Sequence, residues 1–284
     1  MSKRLLLFLF LFGPHLSLSA QLESPGRPAS SGSLQAEELP LVVLPRPDVA
    51  SYLREDDTRG AGGAFRYGAV IETSVDLENH GRWDQVEESG ALLWRVELTS
   101  PGAHSLGVLF AEFDLPPGAQ LFLYRPDRTQ VFGAFTEATE QPNGMLGIRP
   151  LRGDRVVIEY VQPAWVSGSP RLRVESVVHD YRDVYDRFGA GGNEDAACLI
   201  DINCPKGDPY QDIKRSIVAL FAGGFTCTGA ILNNTAEDGT PYLLSAEHCG
   251  DFTNGTFVFN YERSVCNGGT WNLDDSLSGA QSLA

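Results

Sequence analysis

Tyr242-Leu243-Leu244-Ser245-Ala246-Glu247-His248-Cys249, read together with Phe225-Thr226-Cys227-Thr228-Gly229-Ala230-Ile231-Leu232 upstream, decides what the C-terminal part of this chain becomes. Tyr242 to Leu244 is a short apolar run with strand character. The small pair Ser245 and Ala246 permits a tight turn directly after it. His248 is thereby presented at the end of a strand. Histidine titrates near neutral pH, and proton transfer needs fixed geometry, so a histidine held between a turn and a cysteine is a candidate general base. A lone histidine is more often structural. The motif around this one has to separate the two roles.

Cys227-Thr228-Gly229-Ala230-Ile231-Leu232 followed by Leu244-Ser245-Ala246-Glu247-His248-Cys249 resembles the first half of a trypsin-like serine protease of the chymotrypsin fold. The closer resemblance is to the secreted lysyl endopeptidase branch. Its mature N-terminus is similar to Cys198-Leu199-Ile200-Asp201-Ile202-Asn203-Cys204-Pro205, followed by Asp212-Ile213-Lys214-Arg215-Ser216-Ile217 and an Asn233-Asn234-Thr235 turn. The resemblance covers residues 198–284. Ser245 stands where the family usually has threonine, and Glu247 where it has alanine or histidine; neither departure removes a catalytic group. The resemblance implies that His248 is the catalytic base, that Cys227 pairs with Cys249 and Cys204 with Cys266, and that Cys198 is left unpaired. It also implies a polypeptide substrate, with lysine specificity as the family expectation, and neither metal nor cofactor.

A Ser-His-Asp enzyme needs an aspartate to hold the imidazole tautomer and a serine nucleophile in a glycine-rich loop. Asp274 and Asp275 sit in a polar stretch with no apolar strand following, and Ser278 precedes Gly279 without the rest of a nucleophile's setting, so all three read as loop. The expectation is a serine endopeptidase precursor of which residues 198–284 are an incomplete protease domain, one half of a double β-barrel that carries only the histidine. The competing expectation is a secreted, non-catalytic β-sandwich binding protein with a degenerate half-barrel.

Upstream, residues 1–20 have a basic start at Lys3 and Arg4, an apolar core and small residues before Ala20, the physical parts of a signal peptide. This predicts a secreted, extracellular protein in which disulfides are permitted. The net charge of −15 argues against nucleic acid or an anionic membrane surface as partner, since both would repel the chain. A monomer with no membrane contact after signal cleavage is expected.

Residues 21–39, rich in Pro, Gly and Ser, read as a disordered linker. Asp48 can cap a short helix whose solvent side would be Arg54, Glu55, Asp56 and Asp57. Leu92, Trp94, Val96 and Leu98 alternate with Leu93, Arg95 and Glu97, and this strand with those read at 106–113, 120–124, 131–135, 156–161 and 172–178, separated by turn signals, predicts an antiparallel β-sandwich over residues 40–183, a propeptide-like or accessory domain. It holds no cysteine, and His80, His104 and His179 lack metal-ligand spacing. Asp154 and Glu159 read as a solvated strand face, and Trp94 and Trp165 as core or half-buried aromatics. Residues 184–197 are predicted to be an exposed junction, with activation cleavage between 187 and 198. Strands are expected at 213–221, 225–232, 242–244 and 256–261. The whole chain is predicted to be all-β.

Overall fold

Where apolar residues alternate, the chain pairs into sheets. The computed structural model describes residues 23, 26–31, 38–59, 63–185, 200–273 and 275–283. The expected signal peptide, Cys198 and Asp274 lie outside the described residues, as does most of the expected junction.

The strands are β1 (Leu41–Val43), β2 (Phe65–Arg66), β3 (Gly68–Asp76), β4 (Arg82–Gln85), β5 (Leu92–Thr99), β6 (Ser105–Asp114), β7 (Gln120–Tyr124), β8 (Val131–Phe135), β9 (Leu146–Arg152), β10 (Arg155–Gln162) and β11 (Arg171–Asp180). They continue as β12 (Ile217–Ala222), β13 (Phe225–Leu232), β14 (Tyr242–Leu244), β15 (Thr256–Phe259), β16 (Arg263–Val265), β17 (Gly268–Trp271) and β18 (Ser276–Ser278). A single α-helix, α1 (Val49–Arg59), is found among the described residues, its start capped by Asp48, whose Oδ1 accepts from the Ser51 amide at 3.1 Å.

The chain is all-β, as its alternation predicts. One sheet runs β1-β5-β10-β7-β8, with β4 also on β5; a second runs β3-β11-β6-β9. Their inner faces share one core: Trp94, Val96 and Leu98 of β5 and Ile158 and Tyr160 of β10 belong to the same buried cluster as Val108 and Phe110 of β6 and Val174 of β11. A large side chain such as Trp94, 1% exposed, contributes on the order of 2–3 kcal/mol by leaving water. A third sheet runs β14-β13-β12-β15-β18, and β16 and β17 form a separate ribbon.

Several expectations give way here. β1 lies parallel to β5, an exception to the antiparallel pattern. The outer face of the first sheet is buried as well, because the N-terminal segment lies over it: Ala29 and Leu39 pack on Leu93, Phe122 and Val157. Residues 26–31 of the expected disordered linker are therefore ordered, with a 3-10 turn at Ala29–Ser31. Ser30 is 2% exposed; its amide donates to Glu159 Oε1 at 3.2 Å and its hydroxyl to Glu159 Oε2. Glu159 also accepts from the Tyr124 hydroxyl at 2.7 Å. It is thus a buried, fully partnered carboxylate, the opposite of a solvated face, because the covering segment supplies the donors water would have given.

Asp56 likewise does not face solvent. It accepts from Arg66 Nε at 2.7 Å, and from the Tyr181 hydroxyl and Arg182 Nη2 at 2.8 Å each, so it ties α1 to β2 and to the chain end of β11. Nor are the first two residues of the expected junction exposed. Val184 and Tyr185 are buried, because Asp180 accepts from the amides of Arg182 and Val184, both at 2.9 Å, and curls the chain inward. Residues Ile213–Ser216 form a 3-10 turn, so the strand expected from 213 starts at Ile217. Finally, β2 leaves the two sheets around it: it pairs with β13 of the third sheet, Arg66 opposite Phe225 and Phe65 opposite Thr226.

Candidate functional site around His248

The site is built on β13. This strand pairs along its length with β12, Ile217 opposite Ala230 through Ala222 opposite Phe225. On its other edge β14 pairs with residues 230–232 and β2 with residues 225–226. Gly229 is required between them: a Cβ there would lie 2.9 Å from Leu243 and 3.1 Å from the Leu244 carbonyl.

After β14 the chain turns as the small pair Ser245-Ala246 suggests. The Ser245 hydroxyl donates to the Thr228 carbonyl at 2.9 Å, fixing the turn against β13. A threonine hydroxyl could make the same bond, so this departure from the family pattern keeps the contact. Glu247–Cys249 then form one 3-10 turn, closed by the Cys249 amide on the Ala246 carbonyl at 2.9 Å and the Gly250 amide on the Glu247 carbonyl at 3.1 Å. Gly250 exits with φ +83°, a conformation that favours glycine.

Cys249 points inward and packs with Val218, Leu220, Phe252 and Phe257; it is bonded to Cys227 of β13. His248 points outward and is exposed. The backbone of His248 is thus pinned from both sides, by the bridge beneath Cys249 and by the hydroxyl of Ser245, while its imidazole stays accessible. A ring nitrogen of His248 and the sulfurs of Cys227 and Cys249 lie within 4.8 Å of one another. That spacing could suit a metal ion, but both sulfurs are committed to the disulfide, so the group offers one imidazole and no thiolate. Among the described residues no hydrogen bond joins the His248 ring to a carboxylate or a hydroxyl.

The second disulfide joins Cys204 to Cys266, 62 residues apart, and fastens the start of the segment to the β16–β17 ribbon. Asn203 Nδ2 reinforces the join by donating to the Arg263 carbonyl at 2.5 Å, and Lys214 reaches Glu262 at 2.6 Å.

Both bridges, the His-Cys pair and every strand of the third sheet except β2 fall in one stretch of sequence. Residues 192–284 match the family model of the lysyl endopeptidase C-terminal domain. No solved structure matches the chain significantly. The lysyl endopeptidase-like segment thus begins six residues before Cys198 and takes in β12 to β18.

The remaining residues weighed for chemistry take structural positions. Asp275 is bound into its own loop, where Oδ2 accepts from Asn260 at 2.9 Å and Asn272 at 3.2 Å. Ser278 is not in a loop: it lies in β18 opposite Thr256 of β15, is buried, and donates to the Gly147 carbonyl at 2.5 Å. Of His80, His104 and His179, the last is buried with Nδ1 2.7 Å from the Ser100 hydroxyl, and burial, with the Arg46 charge, lowers its pKa. His104 lies 3.7 Å from Asp183. Trp94 is core, whereas Trp165 is exposed, with its ring over Gly118.

Sequence reasoning missed β2 as a neighbour of this site. A two-residue strand has no periodicity to detect. Its signal is only that Phe65-Arg66-Tyr67 places two aromatic residues between a glycine-rich run and Gly68.

Proposed function

We propose that this chain belongs to the precursor of a secreted serine endopeptidase, with His248 as the general base that takes the nucleophile's proton. The observation that carries the reading is the pinned, outward-facing histidine: a 3-10 turn bonded through Cys249 to the adjacent strand presents an accessible imidazole on a rigid support. The match of residues 192–284 to the lysyl endopeptidase C-terminal domain supports the same role. Two disulfides suit an oxidising, extracellular compartment.

In this reading the substrate is a polypeptide, and residues 198–284 supply the first of two barrels. The imidazole would accept the serine proton and return it to the leaving amine, with the aspartate and the nucleophile coming from other parts of the enzyme. The sandwich serves as propeptide, and the protein works as a monomer.

The test is hydrolysis of a lysine ester and of a general protein substrate by the intact gene product that contains these residues, with a serine-directed covalent inhibitor as control. His248→Ala is expected to lower kcat by about 10⁴-fold or more while leaving secondary structure unchanged. Residues 1–284 alone are expected to show no inhibitor-sensitive hydrolysis. An intact protein indifferent to His248→Ala would refute the assignment, and one with no hydrolysis at all would favour a binding role for the half-barrel.

A further inference from the structure

The N-terminal sheets and the lysyl endopeptidase-like segment meet along three separate zones. The first is backbone to backbone: β2 pairs with β13, and the amides of Tyr67 and Gly68 both donate to the Gly224 carbonyl, at 2.8 and 3.1 Å. The second is centred on β9. The Gly147 carbonyl accepts from Ser278 at 2.5 Å and Thr256 at 3.4 Å, Arg149 donates to the Ser276 hydroxyl at 2.7 Å, and Asn143 donates to Asn254 at 2.6 Å. Contact here is intimate, since a Cβ on Gly147 would fall 2.5 Å from the Asn254 carbonyl oxygen. The third is apolar: Tyr67, Val184 and Tyr185 share a buried cluster with Ala219, Phe221, Val258 and Leu273, and the Tyr261 hydroxyl donates to the Val184 carbonyl at 2.8 Å.

We infer that these zones make a surface by which the sandwich keeps hold of residues 200–283 as a separate chain, so that cutting the connection anywhere within 186–199 leaves a two-chain complex. The partner this surface fits is the half-barrel itself. Each zone lies outside the connecting segment, and Tyr185, the last described residue before it, is anchored on the sandwich side. Its hydroxyl donates to the Pro150 carbonyl at 2.5 Å and its ring carries the Arg152 guanidinium at 4.0 Å. The interface mixes a strand addition, side-chain hydrogen bonds and a buried aromatic centre, so main-chain pairing, polar contacts and apolar burial all hold the two parts together. While it holds, β2 fills the edge of β13 that runs into Cys227 and the His248 turn, and no other extended chain can pair with Phe225 and Thr226. The inference does not rest on the proposed hydrolytic activity.

The experiment places a recognition sequence for a site-specific protease within residues 188–196 of the whole chain. After cutting, gel filtration and native mass spectrometry read the association. The unmutated fragments are expected to travel together as one 1:1 species. Gly147→Val is expected to separate them, raising the apparent dissociation constant at least about 100-fold, with circular dichroism of the uncut variant checking that it folds. Tyr261→Phe, which keeps the ring and removes one hydroxyl bond, is expected to raise it about 3- to 10-fold. Separation of the unmutated fragments on cutting would overturn the inference, as would a complex that neither variant weakens.

Discussion

Asp56 shows what a single side chain does when three donors converge on it. Burial alone would raise its pKa, but the hydrogen bonds from Arg182, Tyr181 and Arg66 outweigh that effect and hold the carboxyl below the usual range. A depressed carboxyl contributes stability that is present above its unfolded pKa, near about 3.9, and is lost as pH falls through the lower folded value. Asp56→Asn should therefore destabilise the protein at neutral pH by roughly 1–3 kcal/mol, and the difference from the unmutated chain should shrink progressively as pH is lowered below about 3.9. Urea midpoints at the two pH values check this; an unchanging difference would mean the charge is irrelevant. In the sequence Asp56 looks like one more acid in Arg54-Glu55-Asp56-Asp57. Nothing local distinguishes it, since its partners lie 10 and about 125 residues away. His248 is the opposite case, because its support, Ser245 and Cys249, sits within a few residues and can be read directly.

At the scale of the element, the covering segment at Ala29–Ser31 turns the outer face of a sheet into a second interior. Ser30→Ala removes a donor to a buried carboxylate and should cost about 1–3 kcal/mol, seen as a fall in Tm of roughly 2–4 °C per kcal/mol. An unchanged Tm would mean that water replaces the hydroxyl. The strands β5, β6, β7, β10 and β11 are legible because each is a short apolar run bounded by turn residues, and in β5 the apolar residues also alternate as side chains on a pleat do. β9 escaped that reading. Its sequence Leu146-Gly147-Ile148-Arg149-Pro150-Leu151-Arg152 carries an arginine that is buried against the Phe132 ring at 3.7 Å and bonded to Ser276, so a charged residue stands where a core position is needed. Residues 26–31 depart from the expected linker for a related reason: a Pro-, Gly- and Ser-rich composition signals the lack of a self-sufficient core, and Ala29 packs instead on the core of the sheet beneath.

For the whole molecule, the third sheet owes much of its definition to the Cys227–Cys249 bridge, which closes 22 residues and is worth roughly 3 kcal/mol in the chain-entropy account. Replacing both cysteines with serine should speed amide exchange in β12 to β15 and leave β5 and β10 unchanged; equal acceleration everywhere would mean that the sheets unfold as one unit. The architecture also limits how the parts can ever come apart. β2 ends at Arg66 in one sheet and β3 begins at Gly68 in another, with Tyr67 alone between them. An extended residue reaches only about 3.3–3.6 Å. The two bodies therefore cannot swing or slide on a linker at this point, and parting them by even one strand width would first require peeling β2 off its neighbour. Departure of the sandwich then includes melting of this two-residue strand, together with release of the β9 contacts and of the aromatic cluster around Tyr67 and Tyr185.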